Sequence, residues 1–349
     1  MATLIETTRI DPPGARGNAP GDFLKAMRSP WYSLVVDLHD TILRATVDYA
    51  SSLGLKAVHL PLTTRTITCP TGLGSDTCPV PVTVNGVETY LSDSAQFLLE
   101  YGCQVAPGGA YTIMPSFRCE VPDQAHLSQF THSEAEIPGS LEDLVSYVEG
   151  YVKELSAAIL SEHGDRLAAA RGPVAHLERM LGQHQFTRIT FDEAARFLRG
   201  DPALITAGDA GRRLTRAGER ELMRRIGEFA WVTHFDHLTV PFYQAFEDER
   251  NLTARNADLL FGIGEVVGSG ERHTNGDQVR QALAMHGVPE REYAWYVQMK
   301  NEHPLQTSGF GMGVERFLLW VLNHDDVRDI SLVSRVDEPA RWPASVDRP

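Results

Sequence analysis

Between Ser308 and Gly313 glycine recurs at every second position (309, 311 and 313), and the chain then runs directly into Val314-Glu315-Arg316-Phe317-Leu318-Leu319-Trp320-Val321-Leu322. In an extended segment alternate side chains point to opposite faces, so these glycines leave one face bare of Cβ atoms. The segment that follows has another period. Val314, Phe317, Leu318, Val321 and Leu322 fall at i, i+3, i+4, i+7 and i+8, the buried stripe of a helix, and leave Arg316 near its N-terminal end. A flat base can lie on bare backbone, and an arginine at a helix N-terminus suits phosphate oxygens. Tight packing of strand on helix asks for the same residues, so on pattern alone both readings stand.

A chain of 349 residues, 42% hydrophobic and 22% charged, can bury a sizeable core and reads as one large domain or two small ones. No apolar run approaches the length of a membrane span and the N-terminus has no signal-peptide core, which leads to the expectation of a cytoplasmic protein with no membrane partner. Cys69, Cys78, Cys103 and Cys119 show no paired spacing, so free thiols are expected in place of a zinc site. The net charge of -14 argues against a broad nucleic-acid grip. Arg212, Arg213, Arg216, Arg220, Arg224 and Arg225 come nearest to a basic cluster, but Glu219 and Glu221 interrupt them, as on an ion-paired surface helix.

Residues 1–22, with Pro12, Pro13, Gly14, Gly17, Pro20 and Gly21, read as an irregular lead-in, and 23–349 as the folded domain. A helix is expected from about Gly21 to Leu53, and a strand over Ala57-Val58-His59-Leu60-Pro61-Leu62. Thr63 to Val87 is rich in Thr, Pro, Gly and Cys, which suits a mobile lid or an ordinary surface loop. Ser140 and Asp143 form a capping-box pattern ahead of a long amphipathic helix through Leu155. Residues 160–240 read as a partly helical insertion that includes a short strand, Phe186 to Phe191. Ile113 to Glu120 and Phe130 to Ile137 alternate as two strands of a hairpin, which puts Arg118 and Glu120 on one face and likewise Glu134 and Glu136. Three carboxylates and an arginine on one surface are either a binding site or a solvated sheet face.

These segments resemble the conserved motifs of class II aminoacyl-tRNA synthetases of the aspartyl, asparaginyl and lysyl subgroup. Ser308 to Leu322, continued by Asp326-Val327-Arg328-Asp329-Ile330 and ending at Ser334-Arg335, is similar to the third motif, with Ser334 where proline is usual. The hairpin with Arg118, Glu120, Phe130 and Glu134 resembles the second motif, and Gly21 to Leu62 loosely resembles the first, which forms the family's dimer interface. Phe186 to Phe191 and the strand expected at Pro241-Phe242-Tyr243 resemble further family elements. The resemblance covers about residues 25–337 and implies an α+β fold: a mainly antiparallel sheet flanked by helices, in a homodimer.

It also implies roles. Arg118 and Arg316 take the catalytic places on ATP phosphate, and Glu120, His126, Phe130, Glu265, Gly309, Gly311 and Gly313 complete the ATP set. Gln96, Asp93, Glu134, Glu136 and Arg272 take the amino-acid places, and Asp258 and Glu265 those that hold Mg2+. Asp93 stands where the family carries glutamine, Leu99 where aspartyl enzymes carry lysine, and Asp76 is the substitute for an absent lid glutamate.

The departures gather on the tRNA side. The loop Val121 to Leu127 is short, with Ala125 in place of an arginine, and only about 20 residues precede the catalytic core, too few for an anticodon-binding domain. The sequence-based expectation is therefore an ATP-dependent, AMP-forming ligase that adenylates aspartate or an Asp/Asn-like amino acid and transfers it to ammonia or a small amine. A truncated enzyme that charges tRNA, and a noncatalytic binding protein on the same fold, are the alternatives.

Overall fold

The computed structural model describes residues 9–14, 20–68, 78–119, 121–250 and 252–333. Its centre is an eight-stranded sheet ordered Lys56–Ala57, Ala110–Phe117, Gln129–Pro138, Thr307–Gly313, Gly264–Glu271, Asn256–Phe261, Ala230–Thr233 and Thr187–Thr190. Every neighbouring pair is antiparallel except the outermost pair at each edge. This is the expected α+β architecture.

Register turns the sequence pattern into two faces. Asp258 lies opposite Gly268, Gly268 opposite Gly311, Gly311 opposite Glu134, and Glu134 opposite Thr112. In the next row Asn256, Gly270, Gly309, Glu136 and Ala110 stand in line. Period-2 alternation therefore gathers the acids and glycines on one face and sends Phe310, Ala135, Val267 and Leu259 to the other. On that other face Phe310 meets Tyr147 and Tyr151 of the helix Leu141–Arg171, with ring centroids 5.7 and 5.5 Å apart. The capping box at Ser140 and Asp143 starts this 31-residue helix as expected, and its apolar stripe closes the main core.

The glycine strand leads without a loop into the helix Val314–Val321, and Val314, Phe317, Leu318, Val321 and Leu322 are all at most 2% exposed. The helix expected over residues 21 to 53 is two helices, Pro20–Met27 and Pro30–Ser52, because Pro30 opens the second behind a Ser29 cap. The strand expected at 57–62 shrinks to Lys56–Ala57. Val58 still donates to Tyr111, but Pro61 has no N–H with which to continue the ladder. The strand expected at 186–191 is Thr187–Thr190, where Thr190 already caps the next helix, and Pro241-Phe242-Tyr243 is a turn ending in isolated bridges at Gln244 and Phe246.

In the 160–240 region Phe191, Ala194, Leu198, Ile205 and Leu222 form a core of their own against Val232 and Leu260 of the main sheet. That packing lays the helix Arg216–Ile226 along the end of the sheet that carries Glu265. Thr63–Thr64, Val87–Leu91 and Val80–Val84 form a small antiparallel sheet in the segment expected to be a lid; its centre, with Asp76, lies outside the described residues. Cys78 and Cys119 form a disulfide, contrary to the expectation of free thiols, whereas Cys103 is a buried free thiol. Among the described residues no helix is long and apolar enough to cross a membrane.

Candidate active site

Two cavities open on the polar face of the sheet and share Arg118, His132, Glu265 and Gly311. The first, of about 200 Å³, is lined by Arg118, His126, Phe130, Glu265, Gly313 and Arg316 among others. Arg118 lies over the Phe130 ring with its guanidinium carbon 5.2 Å from the centroid, and its buried Nε has no hydrogen-bond partner among the described residues. Burying a charged donor without an acceptor is costly, so this geometry awaits one. Arg316 is steadied by donation from NH1 to the Glu265 carbonyl at 3.0 Å. Glu315 also lines this cavity, and its buried carboxylate accepts the Thr131 N–H at 3.0 Å, which ties the helix to the hairpin.

The second cavity, of about 260 Å³, gathers Asp93, Gln96, Glu134, Gln244, Asp258 and Arg272 among its lining residues. Arg272 stands at its floor, 2% exposed. It donates from Nε to Glu136 at 3.1 Å, from NH1 to Gln244 at 3.1 Å, and from NH2 to Glu136 at 3.0 Å and to Gln96, while the Tyr243 ring centroid lies 4.9 Å from its guanidinium carbon. Gly309 makes this possible: a Cβ there would stand 1.8 Å from a Glu136 oxygen and 2.7 Å from an Arg272 nitrogen. Burial raises the Glu136 carboxyl above its ordinary range and Arg272 pulls against it. Burial likewise raises Glu134, which accepts from Ser94 Oγ, from Ala95 N at 2.8 Å and from Gln96 Nε2 at 3.1 Å. Burial and the charge of Arg118 push His132 down to about 3, so its 3.7 Å approach to Glu134 is not an ion pair.

The carboxylates of Asp258 and Glu265 converge over Gly268, where an added Cβ would meet a Glu265 oxygen at 3.0 Å and an Asp258 oxygen at 3.8 Å. Burial raises Asp258 well above the ordinary carboxylate range, with the charges of Glu265 and Glu219 adding to it. Adjacent hard oxygens that repel one another are a fitting donor set for a divalent cation that also carries phosphate oxygens.

Most residues singled out in the sequence meet here, with some shifts. Gly311 lines both cavities and Gly313 the first, whereas Gly309, expected beside them, lines the second. Asp93 lines the second cavity while its carboxylate accepts from Thr68 N at 3.1 Å and Thr68 Oγ1 at 2.7 Å, which fastens the segment leading to residue 69. Leu99 packs in a core with Ala95, Ala110 and Met114. Glu120, Ser334 and Arg335 lie outside the described residues. Gln244, Tyr243 and Ser94 were not visible as site residues beforehand; Gln244 sits in a turn with no period to mark it.

A glycine-bare sheet face with Arg118 and Arg316 at one cavity and the paired Arg272 at the next has the arrangement expected of a class II synthetase. Residues 21–336 match the family model for class II tRNA synthetases (D, K and N), and the chain belongs to that family, one of ATP-dependent ligases. It is 26% identical over 310 residues to the asparagine–tRNA ligase of Thermoplasma acidophilum, covering 87% of this chain and 69% of that protein. With the asparagine–tRNA ligase of Pyrococcus abyssi it shares 31% over 268 residues, 72% of this chain and 57% of the relative. Its fold matches that of the asparaginyl-tRNA synthetase of Pyrococcus horikoshii, solved with asparaginyl-adenylate, at a TM-score of 0.82 and 24% identity over 93% of this chain and 74% of that one.

Proposed function

We propose that this chain activates asparagine, or an amino acid with the same side-chain amide, as its adenylate and passes the acyl group to tRNA. The observation that carries the reading is Arg272. Its charge is balanced by Glu136, and its other bonds to Gln96 and Gln244 leave one NH1 hydrogen for a ligand. A side-chain carboxylate entering beside Glu134 and Glu136 would add charge to a buried acidic site, whereas an amide oxygen accepts from Arg272 and an amide N–H donates to an acid.

The α-carboxylate would then lie at the wall the cavities share, beside Arg118. Its oxygen attacks the α-phosphorus of ATP, an acyl–phosphate bond forms, and the bond to pyrophosphate breaks. Arg118 and Arg316 are fixed cations against the charge that grows on the phosphoryl oxygens. Asp258 and Glu265 would hold Mg2+, which when bound neutralises phosphate charge. In the second half-reaction an acceptor hydroxyl attacks the acyl carbon, and AMP and a proton leave.

The expected acceptor, ammonia or a small amine, finds no support among the relatives, which are named asparagine–tRNA ligases; tRNA takes its place here. The test is to form the adenylate with labelled asparagine and offer it tRNA, ammonia and simple amines side by side. Label on tRNA is the expected result. Transfer to an amine with none to tRNA would overturn the acceptor, and no adenylate with any amino acid would overturn the whole reading.

A further inference from the structure

The helix Arg216–Ile226 looks in sequence like a solvated, ion-paired surface element, and at its far end it is one: Arg224 and Arg225 pair with Glu221 at 2.8 and 2.6 Å. The near end is different. Thr215 caps it by accepting from Gly218 N at 3.0 Å, and Arg216 and Glu219, three residues apart, share one face. Glu219 accepts the Glu265 N–H at 3.2 Å, so close to Gly264 that a Cβ there would meet Glu219 Oε2 at 2.1 Å. Arg216 NH2 lies 2.8 and 2.9 Å from the two ring nitrogens of His126, which lines the first cavity. The helix thus clamps the strand of Glu265 with one side chain and reaches the rim of the nucleotide cavity with the other.

An ATP triphosphate brings about four negative charges, of which the Mg2+ that Asp258 and Glu265 would hold offsets about two. Facing them are Arg118 and Arg316, while His126 is held neutral by burial and by the charges of Arg216 and Arg316. Position is also informative. The α-phosphate has to sit at the wall shared by both cavities, where the amino acid can reach it, and His126 lines the first cavity without lining the second. Arg216 therefore approaches the part of the cavity away from the reacting phosphorus. In the free chain it holds a neutral imidazole, with the Asp123 carboxylate 3.9 Å off, and a phosphate oxygen is a stronger partner than either.

We propose that Arg216 binds the terminal phosphate of ATP, as a third guanidinium supplied by the insertion helix. The proposal rests on the adenylation reading above. Calorimetric titration of the full chain with ATP and with AMP, both with Mg2+, tests it in the natural chain, Arg216→Gln, Arg216→Lys and the control Arg224→Gln. Loss of one charge-assisted contact predicts ATP affinity weaker by about ten- to a hundredfold in Arg216→Gln. AMP affinity should stay unchanged, Arg216→Lys should recover part of the loss, and Arg224→Gln should match the natural chain. An unchanged ratio of ATP to AMP affinity in Arg216→Gln, including an equal loss of both, would overturn the assignment. No ATP binding by the natural chain would remove the adenylation reading and this proposal with it.

Discussion

At the end proposed for the amino acid, Arg272, Glu136, Gln96 and Glu134 are 2%, 0%, 5% and 1% exposed and are joined by hydrogen bonds. At the end proposed for phosphate, Arg118, His126 and Arg316 are half-buried, and Arg118 Nε finds no partner among the described residues. One end has its charges paired before any ligand enters, and the other keeps a buried donor that only a ligand can satisfy. The difference follows from solvation. Charges buried beneath the sheet face must be paired in the free protein, whereas at the half-exposed mouth a guanidinium can keep one buried donor, Arg118 Nε, for an acceptor that a ligand brings.

Removing Arg272 should have the largest effect. Arg272→Ala leaves Glu136 buried without its cation and should lower unfolding free energy by about 3–5 kcal/mol in urea titrations, with asparagine-dependent turnover lost. Adding Glu136→Gln should recover part of the stability but none of the turnover; a single variant as stable as the natural chain would contradict the ion-pair account. At the other end Arg118→Ala should lower kcat for adenylate formation by about 10²–10³-fold, with unfolding free energy within about 0.5 kcal/mol of the natural value. Equal stability losses at both ends would break the comparison.

The Cys78–Cys119 disulfide bridges 41 residues and ends beside Arg118. Closing a loop of that size stabilises by about 2–4 kcal/mol, so Cys78→Ser should lower the unfolding midpoint, and a reductant should lower the natural chain to the same value while leaving the variant unmoved.

The smallest effect is a pH dependence beneath the amino-acid end. Burial lowers His237 and His286 to about 4 and His273 to about 3, from an ordinary 6.5. The unfolded chain therefore takes up protons first, so their contribution is present above pH 6.5 and drains away as pH falls towards 4. His286→Gln, which removes one group from the 3.1 Å His237–His286 contact, should reduce the loss between pH 7 and pH 5 by about 2 kcal/mol. An unaltered slope would show that His286 does not titrate in this way.

The sequence made visible what depends on period. Glycines at every second position, acids at 134 and 136 and the stripe from Val314 to Leu322 each fix a face, and pairing of strands brings those faces together. It hid what depends on chain reversal. Gln244 reaches Arg272 from a turn, and the two cysteines, 41 residues apart, meet where Cys119, just past the strand Ala110–Phe117, donates its N–H to the Cys78 carbonyl. Charge pattern misjudged the helix at Arg216 for a related reason: alternating signs mark a polar helix but not which end of it abuts the sheet. At Gly309 the bare strand face receives the side chains of Glu136, Gln96 and Arg272, which pattern alone does not distinguish from a flat base.

The most direct test of the central claim is ATP–pyrophosphate exchange with asparagine and aspartate offered separately to the full chain. A pocket whose arginine is already neutralised should favour the amide by about a hundredfold or more. Exchange with aspartate equal to or above that with asparagine would contradict it.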